Sequence, residues 1–234
     1  MSISSNAQPR NLVNTNVIKL YECLRKDDSQ RTYYSSGVGT SAKPWKLEKV
    51  ITNAYRWLAD NYQDNDRIFL FGYSRGAYQV RVLAAMIECV GLIHAGNLQQ
   101  IPLCVPLVPA IQIFTDGDIG DSLQNECQCL ATLLQKVGNF KRMFSRNVRV
   151  YFLGAWDTVS SVGIIRGELL PLTTSNQHIV HFRHALALDE RRVKFLPEHA
   201  TDSSTVANTA KEVWFIGSHS DVWVLITQTY TMIP

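Results

Sequence analysis

Gly72-Tyr73-Ser74-Arg75-Gly76 places a serine between two glycines, directly after the apolar run Ile68-Phe69-Leu70-Phe71. G-x-S-x-G between a buried strand and a helix is the pattern of a nucleophile elbow. A sharp turn there holds the Ser74 hydroxyl out at the carboxyl end of the strand. Gly72 and Gly76 carry no side chain and let strand and helix approach, and the backbone N–H of Arg75 can donate to an oxyanion. Such a nucleophile needs a base and an acid on the same rim of a sheet, in the chain order serine, acid, histidine. Asp157 follows the strand-like Tyr151–Trp156, and His219 follows Val213–Ser218. Ser74, Asp157 and His219 are therefore the expected catalytic set. Asp221 is an alternative acid, although it lies too near His219 in sequence to orient the ring easily. The structural alternatives are a simple βα turn with a buried serine, a helix cap at Asp157 and a loop histidine at 219.

Other residues invite chemistry and do not sustain it. His178, His181 and His184 recur every three residues, but that step drifts around a helix and brings no carboxylate to ligand spacing. No metal and no cofactor are expected. Cys127 and Cys129 are spaced wrongly for a zinc knuckle. Arg183, Asp189, Glu190, Arg191 and Arg192 read either as a phosphate contact or as a charged helix face with internal ion pairs. Arg75 itself reads either as a contact to a lipid phosphate or as an anchor for the elbow.

The elements that must position these residues alternate in type. Val17, Leu20, Tyr21 and Leu24 repeat at helical spacing after the capping run Asn14-Thr15-Asn16. Residues 31–40 read as a short strand and a glycine turn. Leu47, Val50, Ile51, Ala54, Trp57 and Leu58 form an amphipathic helix broken at Asp64-Asn65-Asp66. Ile68–Phe71 reads as a strand buried on both faces, followed by a helix through Val90 that ends at Gly91. Residues 95–147 read as an insertion or cap containing a helix near Leu130–Val137. Residues 148–157 and 211–219 read as strands, and 178–195 as a helix. The fold class is α/β, a mostly parallel sheet flanked by helices and α/β-hydrolase-like. Residues 1–14 read as a polar tail, 15–222 as the domain and 223–234 as an atypical tail. Polar residues 1–11 supply no recognisable first strand.

The chain has 234 residues, 46% of them apolar and 18% charged, enough for one α/β core. A net charge of +3 is too weak and scattered to indicate a nucleic-acid partner. Five cysteines lack disulfide-scaffold density, and no apolar secretory segment opens the chain, so a cytoplasmic location is expected. The longest apolar run, Val82–Ile93, holds Glu88 and is too short to span a bilayer. Contact with a membrane from one side is compatible with that pattern. Oligomeric state is not readable.

"RIFLFGYSRGAYQVRVLAAMIECVGLI", "VYFLGAWDTVSSVG", "RHALALDERRVKF" and "VWFIGSHSDV", with the earlier "TNVIKLYECL" and "YYSSGVGT", together resemble the type VI secretion phospholipase effector-like α/β-hydrolases, a family with many fungal members. The resemblance runs from about Thr15 to Val222 and is weakest over 95–140. It implies hydrolysis of a phospholipid ester through Ser74, Asp157 and His219. Family members begin with a strand ending in an Asp-Gly-Thr-like motif and continue past the histidine into a run of glycines. This chain departs from both, which leads to the expectation of a sheet without its first strand and a domain without its C-terminal part. The competing reading is a truncated or degenerate fragment that serves as a non-catalytic binding module.

Overall fold

The structure, a computed structural model, describes residues 2–3, 15–36, 44–104, 123–159, 179–191 and 210–223. Its centre is a six-stranded sheet in the order β2-β1-β3-β6-β7-β8. The strands are β1 (Ser2–Ile3), β2 (Tyr34–Ser35), β3 (Ile68–Tyr73), β6 (Val150–Trp156), β7 (Ile179–Ala187) and β8 (Lys211–Phe215). Every pairing in this sheet is parallel, as expected of βαβ crossovers. A separate antiparallel pair joins β4 (Leu92–Ile93) to β5 (Ser145–Arg146). The main helices are α1 (Asn16–Cys23), α2 (Pro44–Asn61), α3 (Arg75–Val90), a short α4 (Ile101–Cys104), α5 (Leu123–Phe144) and α6 (His219–Trp223).

Local chemistry explains the helix ends. Thr15 caps α1, its Oγ1 accepting the Ile18 N–H at 3.0 Å. Helix α3 stops at Gly91, whose N–H reaches the Ile87 carbonyl and whose φ of +75° suits glycine. Helix α3 is buried along nearly its whole length, from Gly76 to Val90. It packs between the sheet face presented by Ile68, Leu70, Leu153 and Phe182 and a layer holding Tyr55 and Leu58 of α2 and Val137 and Phe140 of α5. The Tyr55 hydroxyl ties that layer together, donating to the Gly91 carbonyl at 2.7 Å and accepting the Ile93 N–H at 3.1 Å.

Four expectations are corrected here. Residues 2–3 do form a strand, set between β2 and β3 in register with Tyr34–Ser35 and Phe71–Gly72. Parallel pairing uses backbone groups, so two residues suffice where no apolar pattern announces them. Residues 179–187 are a strand and not a helix, because pairing with β6 and β8 on either side satisfies their backbone. Phe182, His184 and Leu186 then alternate inward. The strand before His219 ends at Phe215, and His219 instead opens α6. Finally, among the described residues β3 is fully covered on one face only. Phe69 is 39% exposed and joins Phe71, Phe152 and Trp156 in a row of ring contacts on the other face. His178 and Arg192 lie outside what the structure describes, as do the side chains of Cys127 and Cys129 and the continuation beyond residue 223.

Backbone packs closely at the serine turn. A β-carbon on Gly72 would stand 2.3 Å from the Gly76 carbonyl oxygen and 2.7 Å from the Ala77 α-carbon. Backbone cannot give way as a flexible side chain can. Gly72→Ala is expected to lower unfolding free energy by about 3 kcal/mol, measured by urea denaturation; a loss near zero would mean that β3 and α3 are less closely joined than described.

Candidate active site

Ser74 is the residue between β3 and α3. Its φ of +56° and ψ of −122° form a strained conformation for a residue with a side chain. The backbone around it is held on several sides. Ser74 N–H donates to the Trp156 carbonyl at 2.8 Å, and its own carbonyl accepts Tyr78 N–H at 3.2 Å and Val159 N–H at 3.4 Å. Its side chain makes no bond to the helix it precedes, so the hydroxyl is left to point at the rim. Arg75 is the first residue of α3, and amides of a first helical turn have no partner within their helix. Burial lowers the pKa of its guanidinium.

The His219 ring stands between Ser74 and Asp157. Its Nε2 lies 2.8 Å from Ser74 Oγ, and its Nδ1 lies 2.5 Å from Asp157 Oδ2. A carboxylate accepts only, so Nδ1 carries the proton and Nε2 accepts from the serine hydroxyl. All three residues are buried. Asp157 ends β6 with φ +43°. Its N–H donates to the Ala185 carbonyl at 2.7 Å, and its Oδ1 accepts the Ala187 N–H at 3.0 Å, leaving Oδ2 for the ring. The sequence-expected trio is thus brought together. Asp221 is not part of it. Its Oδ2 accepts the N–H and the hydroxyl of Ser218 at 2.7 and 2.8 Å, and these bonds hold its pKa down. It caps the turn that presents the histidine.

Residues that sequence reasoning missed hold His219 in place. Glu190 Oε2 accepts the His219 N–H at 3.1 Å, and the Tyr73 hydroxyl donates to the His219 carbonyl at 3.1 Å. The Tyr73 and His219 rings lie 4.8 Å apart. Asp189 Oδ2 accepts the Gly217 N–H at 2.8 Å. Gly217 has φ +113°, and a β-carbon there would meet Asp221 at 2.7 Å. The charged run 183–191 therefore includes a clamp on the histidine turn, where a helix face was expected. The signal in the sequence is the acidic pair directly after an alternating strand. Helix α1 contributes as well, Asn16 Nδ2 donating to the Val222 carbonyl at 2.9 Å. Burial pushes the Cys89 thiol up to about 11 and keeps it protonated at neutral pH.

Over residues 3–224 the sequence matches the family described as "T6SS, Phospholipase effector Tle1-like, catalytic domain". The chain belongs to that family. The uncharacterised protein YEL023C of Saccharomyces cerevisiae is 37% identical over 208 residues, a match covering 77% of this chain and 29% of that protein. Among solved structures, a Tle1 effector bound to the VgrG spike of the type 6 secretion system is 17% identical, with a TM-score of 0.33, covering 76% of this chain and 30% of that one. An uncharacterised protein from Pseudomonas aeruginosa is 19% identical, with a TM-score of 0.31 and coverage of 77% and 22%. The chain thus spans under a third of each relative. Among the described residues no helix is long and apolar enough to cross a membrane.

Behind Asp157, the buried His184 has its pKa lowered from 6.5, chiefly by burial. The unfolded chain therefore binds more protons than the folded one below about pH 6.5, and stability must fall on acidification through that window, by at most about 1.4 kcal/mol per pH unit. Urea unfolding at pH 8 and pH 5.5 should show this loss, and His184→Gln should show a smaller one. Equal slopes for the two proteins would contradict it.

Proposed function

We propose that this domain is a serine ester hydrolase that cleaves a phospholipid acyl ester through an acyl-enzyme. The observation that carries the reading is the His219 ring held between Ser74 Oγ at 2.8 Å and Asp157 Oδ2 at 2.5 Å. Ser74 gives its proton to His219 Nε2 as Oγ bonds to the ester carbonyl carbon. Asp157 stays ionised and stabilises the imidazolium. Arg75 N–H donates to the developing oxyanion. The intermediate collapses by breaking the bond to the alcohol oxygen, which takes the proton from Nε2. Water then attacks the acyl-Ser74, giving its proton to the same nitrogen, and the fatty acid leaves as the serine is restored.

The phospholipid substrate rests on family membership, and it implies a domain that meets its substrate at a membrane surface. Geometry supports Asp157 as the acid, since the Asp221 carboxylate is engaged by Ser218.

A fluorophosphonate probe should label the protein, and Ser74→Ala should abolish both labelling and release of fatty acid from phosphatidylcholine vesicles. Asp157→Asn should lower kcat on the order of 10³–10⁴-fold. Asp221→Asn should lower the melting temperature and retain labelling. Labelling that survives Ser74→Ala would place the nucleophile elsewhere. A cooperatively folded protein that never labels would instead favour a hydrolase scaffold without turnover. Labelling together with hydrolysis of a soluble ester but no phospholipid would overturn the substrate alone.

A further inference from the structure

Asp157 sits in the left-handed region at φ +43°, which costs of order 1–3 kcal/mol and persists only where neighbours over-determine it. The amide that follows, Thr158 N–H, donates to a side chain and not to a carbonyl. Its acceptor is His184 Nε2 at 3.1 Å. His184 lies in register beside Ala155 of β6 and Glu212 of β8, with its side chain fully buried. Its Nδ1 lies 2.9 Å from Glu212 Oε1. A neutral imidazole has one donor and one acceptor, and both are committed: Nδ1–H donates to Glu212, and Nε2 accepts from Thr158. The ionisable groups facing the ring are Glu212 on β8, Arg81 on α3 and Asp157 at the end of β6.

We propose that His184 is a positioning residue for the acid: held as the Nδ1–H tautomer by Glu212, it fixes the Thr158 amide and thereby the left-handed turn that aims the Asp157 carboxylate at His219. With the backbone so fixed and Oδ1 taken by Ala187 N–H, Oδ2 faces the ring. The kinetic part of this inference rests on the serine-hydrolase reading; the structural part does not.

Two substitutions separate the two ends of the ring. His184→Asn keeps an amide N–H near the Nδ1 position and loses the acceptor toward Thr158. His184→Gln brings an oxygen acceptor to the Nε2 position. In the full chain, with active sites counted by fluorophosphonate titration, His184→Asn should lower kcat on a soluble ester by about 10- to 100-fold and leave KM nearly unchanged. His184→Gln should restore most of the rate. In an Asp157→Asn background, His184→Asn should have almost no further effect, because it acts through that carboxylate. The second readout needs no turnover: the downfield proton resonance of His219 Nδ1–H, assigned by its loss in His219→Ala. It should persist in His184→Gln and vanish in His184→Asn. If His184→Asn does not fold, Glu212→Ala on the partly exposed β8 releases the ring from its other end and should weaken the same resonance. A resonance unchanged in the folded variant, or equal losses of kcat in both backgrounds, would overturn the proposal. A wild-type protein that neither labels nor hydrolyses esters would overturn the enzyme reading, and the resonance would still decide the role of His184.

Discussion

Where β3 hands over to α3, the chain turns within Tyr73 and Ser74 while the Gly72 and Gly76 backbones touch. A methyl group on Gly72 would stand 2.3 Å from the opposing carbonyl oxygen. That contact forces Ser74 into its φ of +56° and brings the start of α3 hard against the sheet. It also sets where a partner must stand. A serine whose backbone is fixed in this way cannot move to meet a distant imidazole, so the His219 ring must come to it. The parallel register of β3, β6 and β7 meets this demand by ending adjacent strands at one rim.

The cost of that arrangement is met around His219 and Asp157 and not at the serine. Glu190 and Tyr73 grip the N–H and the carbonyl of His219, Asp189 and Asp221 hold the preceding turn, and Asn16 reaches the end of α6. Most of these bonds run from a side chain to the backbone, so they define the direction of the loop more than the identity of the ring. Except at the exposed Asp189–Gly217 bond, removing one leaves a buried or half-buried polar group without its partner, which is the expensive half of any hydrogen bond.

The serine turn was legible because strand, glycines and helix each announce themselves locally. Asp157 and His219 were legible from their places after apolar runs, and so was their order. What escaped reading depended on pairing between distant segments. Ser2–Ile3 has no pattern of its own and becomes a strand only because β2 and β3 flank it. Residues 179–187 carry enough Ala and Leu to suggest a helix, and two neighbouring strands override that preference. On a helix, His184 is one of three evenly spaced histidines and Asp189–Glu190 is surface charge. Strand geometry instead buries His184 and delivers the two carboxylates to the His219 turn.

The distances along the chain at this site are long: 145 residues separate Ser74 from His219, and 62 separate Asp157 from His219. Contacts between such remote segments close late in folding, after the loop entropy of the intervening chain has been met. The order of assembly follows from this. The β3–α3 turn can form from neighbouring residues, whereas the histidine arrives only when β6, β7 and β8 have docked in sequence. A nascent or partly unfolded chain therefore carries Ser74 without the His219 ring beside it. The contact between Ser74 and His219 is, in effect, a clock for completion of the sheet.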